Sequence, residues 1–322
     1  MKIIFILVVL VILGICLLLL LNEKIKRTNY YLNQNPCLKK YQNGIEKQLE
    51  AVNLGSTYAR YAFGNYDGIS NKSFNFAINH QSLEMDYNIL KNYSSKLKRG
   101  SLVFIVVSIC TFLYIEKEGK DIYYDILKKS NNPFYNFRQA IRRKLPIIFK
   151  PKMVKKIVKD DADYVGLYHQ GVCIDKIQAQ RNMDNLVKIW MELFGISSFS
   201  EPLIGLDNEK NIKYNMNVVE EMVEYCRDNQ FTPIIVIPPI SKKLKDYFSD
   251  EVVEKILYDN IEKIVLNNQV QVFDYLQDIS FIEEMHLFSD GGYCLSHRGN
   301  EKFLNKVFSD IKGDKVDFLQ DS

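Results

Sequence analysis

The run Ser101-Leu102-Val103-Phe104-Ile105-Val106-Val107-Ser108 constrains the fold more than any other stretch of the chain. It is rich in β-branched residues and lacks apolar–polar alternation, so as a strand it must be covered on both faces. Such a strand belongs in the middle of a parallel sheet packed between helices. The flanking patterns agree with this. Residues 49–52 read as a strand, 58–63 as a helix, 73–78 as a second strand, and 81–98 as a helix closed by Gly100. After a long middle stretch the rhythm resumes, with a helix over 214–229, a strand over 232–237, a helix over 250–267, a strand over 270–274 and a final helix to about Lys312. The expected fold is therefore α/β, a three-layer α/β/α arrangement around a parallel sheet. Ligands on such sheets bind beyond the carboxyl ends of the strands.

The first segment obeys a different constraint. Residues 3–21 are nineteen in number and carry no charge. At about 1.5 Å per residue they span a hydrocarbon core of about 30 Å. The run ends in leucines and then Asn22-Glu23-Lys24-Ile25-Lys26-Arg27, with no small-residue cleavage site, so it reads as an uncleaved signal anchor. Lys24, Lys26 and Arg27 favour a cytoplasmic body by the positive-inside rule. The organisation expected is an anchor at 1–22, a linker or stem at 23–46, an α/β domain at 47–312 with a basic helical insertion at about 114–210, and a tail at 313–322. Within the insertion, residues 138–159 hold nine basic side chains and no acid. Two readings fit them: a surface for anionic headgroups or an anionic polymer, or a solvated amphipathic helix pair.

Several classes lose support. The formal net charge is only +3, and no zinc-finger, P-loop or GxGxxG spacing occurs, so nucleic acid is not an expected partner. The cysteines at 16, 37, 110, 173, 226 and 294 form no CxxC pair. Buried thiols are expected, with no metal and no cofactor.

The stretch that points to chemistry is Asn53-Leu54-Gly55-Ser56-Thr57-Tyr58. A strand that stops at a glycine and turns into a helix leaves two hydroxyls beside free N–H groups at a helix N-terminus. An ordinary N-cap is one reading of Ser56 or Thr57; a nucleophile for acyl chemistry is the other. Near the other end stand Asp290-Gly291-Gly292 and Leu295-Ser296-His297-Arg298-Gly299-Asn300.

Taken in order, these blocks resemble the SGNH/GDSL hydrolase superfamily. The likeness is to its membrane-anchored branch, which includes the D-alanyl transfer protein of lipoteichoic acid modification and the alginate O-acetylation proteins. Asn53-Leu54-Gly55-Ser56-Thr57 is similar to the first block; Phe74-Asn75-Phe76-Ala77 with Gln81-Ser82-Leu83 and Asp86-Tyr87 to the second; and Pro233-Ile234-Ile235-Val236-Ile237-Pro238-Pro239 with Ser241 to the strand before the last crossover. The segment from Leu295 to Phe303 is similar to the terminal block. The resemblance implies an esterase or O-acyltransferase acting on a cell-envelope or capsular polysaccharide. Ser56 or Thr57 would be the nucleophile, His297 the base and Asp290 its orienting acid. It also implies a body outside the cytoplasm, a glycan or acyl-carrier substrate and a membrane acyltransferase partner.

The strict alignment departs from the pattern at two slots. Two residues on from Gly55 is Thr57, and five back from Gly299 is Cys294, with Asp290 four residues before it and His297 three after. The third-block Asn has no counterpart; Ser108 ends that strand. Two outcomes follow. Either His297 reaches a hydroxyl of Ser56 or Thr57 with Asp290 behind it, or the fold persists without the triad and the cleft binds a glycan or an acyltransferase partner. His80 and His169 read as structural or surface residues, and His286 as a weaker candidate.

Overall fold

A computed structural model describes residues 2–34, 40–41, 44–64, 66, 72–115, 126–127, 134, 137–138, 141, 144–149, 151–159, 176–201 and 205–320. His169, Cys37 and Cys173 lie outside the described residues. The chain divides into two compact units, one of Met1–Ile45 with Glu118–His169, the other of Glu46–Lys117 with Gln170–Ser322.

In the first unit, α1 (Lys2–Lys26) is long and apolar enough over Ile4–Lys26 to cross a membrane, with a mean hydropathy of 3.7 and none of its most apolar window buried. Only its last turns are packed.

The second unit is built on a five-stranded parallel sheet in which Ser73–Asn75, Leu49–Leu54, Leu97–Val106, Thr232–Ile237 and Gln271–Asp274 lie side by side in that order. In chain order its labelled elements begin with β1 (Leu49–Leu54), α2 (Thr57–Ala62), β2 (Ser73–Asn75), α3 (Leu83–Tyr93) and β3 (Leu97–Val106). In the first unit α4 (Val154–Val158) follows. The second unit then continues with α5 (Lys176–Phe194), α6 (Leu206–Asp228), β4 (Thr232–Ile237), α7 (Asp259–Asn268), β5 (Gln271–Asp274), the short hairpin β6 (Phe288–Ser289) with β7 (Cys294–Leu295), and α8 (His297–Gln320). The α/β/α expectation therefore holds. Because side chains alternate along a strand, Phe104, Val106, Ile234 and Val236 face one layer, where they meet Ala59 of α2, Phe63 at its end, and Phe303, Leu304 and Val307 of α8. Their neighbours Val103, Ile105, Ile235 and Ile237 are equally buried and face the layer of α6, whose Val219, Met222, Val223 and Cys226 are buried in turn.

Some boundaries differ from expectation, each for a local reason. Gly100 does not close a helix: α3 stops at Tyr93, and Gly100 is a left-handed residue (φ 76°) inside β3, where the register with β1 shifts. The extra strand residues are held by Lys98 Nζ to Glu50 Oε1 at 2.7 Å and by Ser101 Oγ donating to the Leu49 carbonyl at 2.6 Å. Strand β2 ends early, at Asn75, because that side chain turns to α2: its Nδ2 donates to the carbonyls of Arg60 (2.9 Å) and Phe63 (3.0 Å). Helix α6 begins at Leu206, eight residues before the expected 214, from Gly205. Within the stretch read as an insertion, α5 belongs to the same compact unit as the sheet.

Helix α8 begins against the β6–β7 hairpin. Ser296 caps it, accepting the Gly299 N–H at 3.2 Å, and a Cβ on Gly299 would lie 2.0 Å from the Leu287 carbonyl oxygen. Gly299→Ala is therefore expected to destabilise the chain by about 3 kcal/mol and to lower the unfolding midpoint by roughly 6–12 °C. Gly313→Ala, where a Cβ meets nothing within 4 Å, should leave the midpoint unchanged or raise it. Equal midpoints for the two variants would contradict the packing described.

Candidate functional site

The sheet order puts its switch point between β1 and β3, and a cleft of about 360 Å³ opens beyond the carboxyl ends of those strands. Its floor starts at Gly55. The residue has φ 123°, and a Cβ there would meet Ala59 Cβ at 2.6 Å and the Val106 carbonyl oxygen at 3.0 Å, so only glycine lets the turn pass this close to β3. The Gly55 N–H donates to Asp86 Oδ1 at 2.7 Å.

Ser56 occupies the N-cap position of α2, but its side chain makes no capping bond. Its Oγ accepts the Gln81 N–H at 3.1 Å, and Thr57 Oγ1 accepts the His80 N–H at 3.2 Å. Both hydroxyls thus face the segment Asn79-His80-Gln81. That segment is fixed from several sides. His80 sits at φ 57°, its carbonyl accepts from the Tyr114 hydroxyl at 3.2 Å, and Asn79 Oδ1 accepts from the buried guanidinium of Arg60 at 2.7 Å. A hydroxyl that accepts from a backbone N–H keeps its own proton for another acceptor. Ser56 and Thr57 therefore offer O–H donors.

Asp86 is 2% exposed and also accepts from the Gln81 side-chain amide. Burial pushes its carboxyl up to about 7, against the smaller opposing effects of the Gln81 and Gly55 bonds. Beside it runs a polar chain of fixed direction. The Ser108 N–H donates to Thr111 Oγ1 (2.7 Å), Thr111 Oγ1 lies 2.9 Å from the Tyr58 hydroxyl, and Tyr58 donates to the Val106 carbonyl (3.1 Å). Tyr58 spends its proton on Val106, so the Thr111 hydroxyl is the donor between the two. Burial raises the Tyr58 phenol above its ordinary value.

The far wall is apolar and comes from α5, through Leu186, Trp190, Leu193 and Phe194. Tyr293 links wall and floor, edge-on to Trp190 at 4.7 Å and to Tyr58 at 5.8 Å. Cys110 and Cys294 also line the cleft, both buried, and burial raises the Cys110 thiol well above its usual value. Among the described residues no lysine or arginine lines it.

Of the residues that the sequence singled out, Ser56 and Thr57 line the cleft together, and so does Cys294 from the terminal block. His297 is not among the lining residues, and the side chain of Asp290 lies outside what the structure describes. His297 is exposed at the first position of α8, because the Ser296 cap turns the chain into the helix there. Asp290 opens a turn whose glycines serve packing. A Cβ on Gly291 would lie 2.8 Å from the Met183 N of α5, and one on Gly292 1.9 Å from Ser241 Oγ. His286 is exposed, 3.4 Å from Glu284. Sequence reasoning placed Asp86 in the second block without giving it a role, read His80 as structural or surface, and missed the α5 wall. An acid in the first turn of a helix reads as a partner of the helix dipole, and nothing local distinguishes Asp86 from that role.

No protein-family model matches the chain, and no curated protein matches it in sequence. Among solved structures, a proposed acylhydrolase from Bacteroides fragilis NCTC 9343 is similar with a TM-score of 0.42 and 10% identity, over 86% of this chain and 94% of that one.

The Asp86 carboxyl gives a pH signature. Its folded value of about 7 lies above the ordinary 3.8. Between those values the folded chain keeps a proton that the unfolded chain has lost. Stability is then expected to fall as pH rises through this window, by up to about 1.4 kcal/mol per unit, and to level off above it. Asp86→Asn should flatten the urea-midpoint profile from pH 4 to 7. The same slope in native and variant chains would rule Asp86 out as its source.

Proposed function

We propose that this chain is a membrane-anchored, SGNH-like protein of cell-envelope or capsular polysaccharide modification. In this reading its cleft binds an acyl-bearing glycan, or the acylated segment of a membrane acyltransferase partner, without a hydrolytic triad. The observation that carries the reading is the composition of the cleft. Two hydroxyls stand in the first-block positions, Cys294 comes from the terminal block, and among the described residues His297 does not line the cleft. A nucleophilic hydroxyl needs a base within hydrogen-bond reach, and a buried thiol does not replace an imidazole in that role. The same hydroxyls remain good donors to an ester or sugar oxygen. Trp190 and Tyr293 offer apolar faces for an acyl chain or a pyranose ring. The anchor is α1, and the resemblance favours a body outside the cytoplasm.

One observation favours a second reading, a threonine-dependent esterase or acyltransferase. His80 lines the cleft, and its backbone N–H donates to Thr57 Oγ1 at 3.2 Å, which puts a histidine next to that hydroxyl. An assay of the full chain with p-nitrophenyl acetate separates the two. The binding reading expects no turnover above buffer, with unchanged rates in Thr57→Ala, Ser56→Ala and His80→Ala. Turnover that falls at least about 100-fold in both Thr57→Ala and His80→Ala establishes the enzyme reading instead. A loss confined to His297→Ala is incompatible with both.

A further inference from the structure

We infer that the basic segment at 144–159 forms a collar that binds anionic phospholipid headgroups of the bilayer in which α1 sits; this rests on reading α1 as a membrane anchor. The first unit alone carries the argument. From Ile4 to Leu20 the apolar side chains of α1 are exposed except for the half-buried Leu18, whereas Asn22 and Ile25 are fully buried. The bare length corresponds to about 26 Å of helix, close to the hydrocarbon thickness of about 30 Å. Protein packing on α1 therefore begins where the hydrocarbon would end.

What packs there is the basic segment. Ile147 and Met153 are buried with Ile25 and Tyr31, and Leu18, Leu21, Tyr30, Val154 and Ile157 close around them. The Ile147 N–H donates to Asn22 Oδ1 at 2.9 Å, and Asn22 Nδ2 donates to the Leu18 carbonyl at 2.7 Å. This polar side chain pins the segment at one depth along α1.

Around α4 the sides divide by chemistry. Val154 and Ile157, three apart, face α1. Lys152, Lys155 and Lys159, spaced three and four apart, fall on the opposite side and are exposed. Lys144 is exposed too, and so are Lys24 and Arg27 on the end of α1. Among the described residues of this unit the one ion pair is Lys26 with Glu23, so no described carboxylate neutralises Lys144, Lys152, Lys155 or Lys159. Ile148, 49% exposed, and Tyr30, with Lys156 Nζ 5.3 Å from its ring centroid, are the residue types that settle at a membrane–water interface. A lysine stem reaches along apolar surface while its ammonium stays at the phosphate level. A soluble polyanion would use the charges but gain nothing from that depth or from Ile148; the headgroup layer uses all three.

The test uses the full chain in phosphatidylcholine bilayers with trace spin-labelled phosphatidylglycerol or phosphatidylcholine. The measurement is the motionally restricted lipid fraction. The native chain is expected to prefer phosphatidylglycerol by about fivefold or more, as one to two lysines at the surface provide. Salt at 1 M should reduce the preference. The triple variant Lys152→Gln, Lys155→Gln, Lys159→Gln should bring the ratio close to one, and the corresponding arginine variant should keep it. Release of the native chain by alkaline carbonate overturns the anchor and the collar together. Retention with equal restriction of both lipids, or an unchanged preference in the glutamine variant, overturns the collar alone.

Discussion

The hydrogen bond from the Gly55 N–H to the Asp86 carboxylate joins the end of β1 to the first turn of α3 across the switch point of the sheet. Much else at this end of the sheet follows from it. The turn at Gly55 passes within van der Waals limits of β3, which leaves Ser56 and Thr57 one place to stand. Asp86 also holds the Gln81 side chain, and Gln81 and His80 present their N–H groups to the two hydroxyls. A carboxylate taken out of water is costly unless its acceptors are used. Here one buried oxygen serves two donors, and the carboxyl still titrates near neutrality. Rigidity at the turn is thus obtained from a group that is itself electrostatically uncomfortable.

The sheet was legible in the sequence because its evidence is periodic and continuous. The run through Val103-Phe104-Ile105-Val106 admits one kind of strand, and the glycine turn after Leu54 fixes which strand ends carry the cleft. Ser56 and Thr57 were legible for the same reason: they directly follow that glycine. The opposing side was not. Trp190 and its neighbours lie on an amphipathic helix in a stretch without the βα rhythm, and only tertiary packing brings that helix to the cleft. His80 was hidden differently. Its backbone N–H, not its ring type, makes the recorded contact with Thr57, and a backbone role leaves no trace in residue identity. Gly100 misled because a glycine after a helical pattern and a glycine in a bulged strand have the same sequence signature.

The two glycines of the turn at Asp290 have a packing role of their own. An acid followed by two glycines near the last helix looks like the arm of a catalytic pair. The glycines have left-handed φ values of 72° and 89° and admit the backbone of α5 and the Ser241 side chain at distances no Cβ would allow. The Ser241 N–H completes the join by donating to the Gly292 carbonyl at 2.8 Å. This turn therefore determines where the Trp190 wall stands. Substituting either glycine would first displace the wall, so activity or binding lost in such a variant would report on shape before it reported on proton transfer.

Electrostatics narrows what the cleft can hold. Burial raises Cys110, Tyr58 and Tyr293 above their ordinary values, which keeps all three protonated at neutral pH. Asp86 changes charge only near neutrality, and no described lysine or arginine lines the cavity. A phosphate or carboxylate entering it would lose its hydration and find hydroxyls but no fixed cation. An ester, amide or sugar hydroxyl loses far less, and the Ser56 and Thr57 O–H groups can replace its water. The cleft thus discriminates by hydrogen-bond polarity and by the apolar wall rather than by charge. It would do so whether or not a base were present.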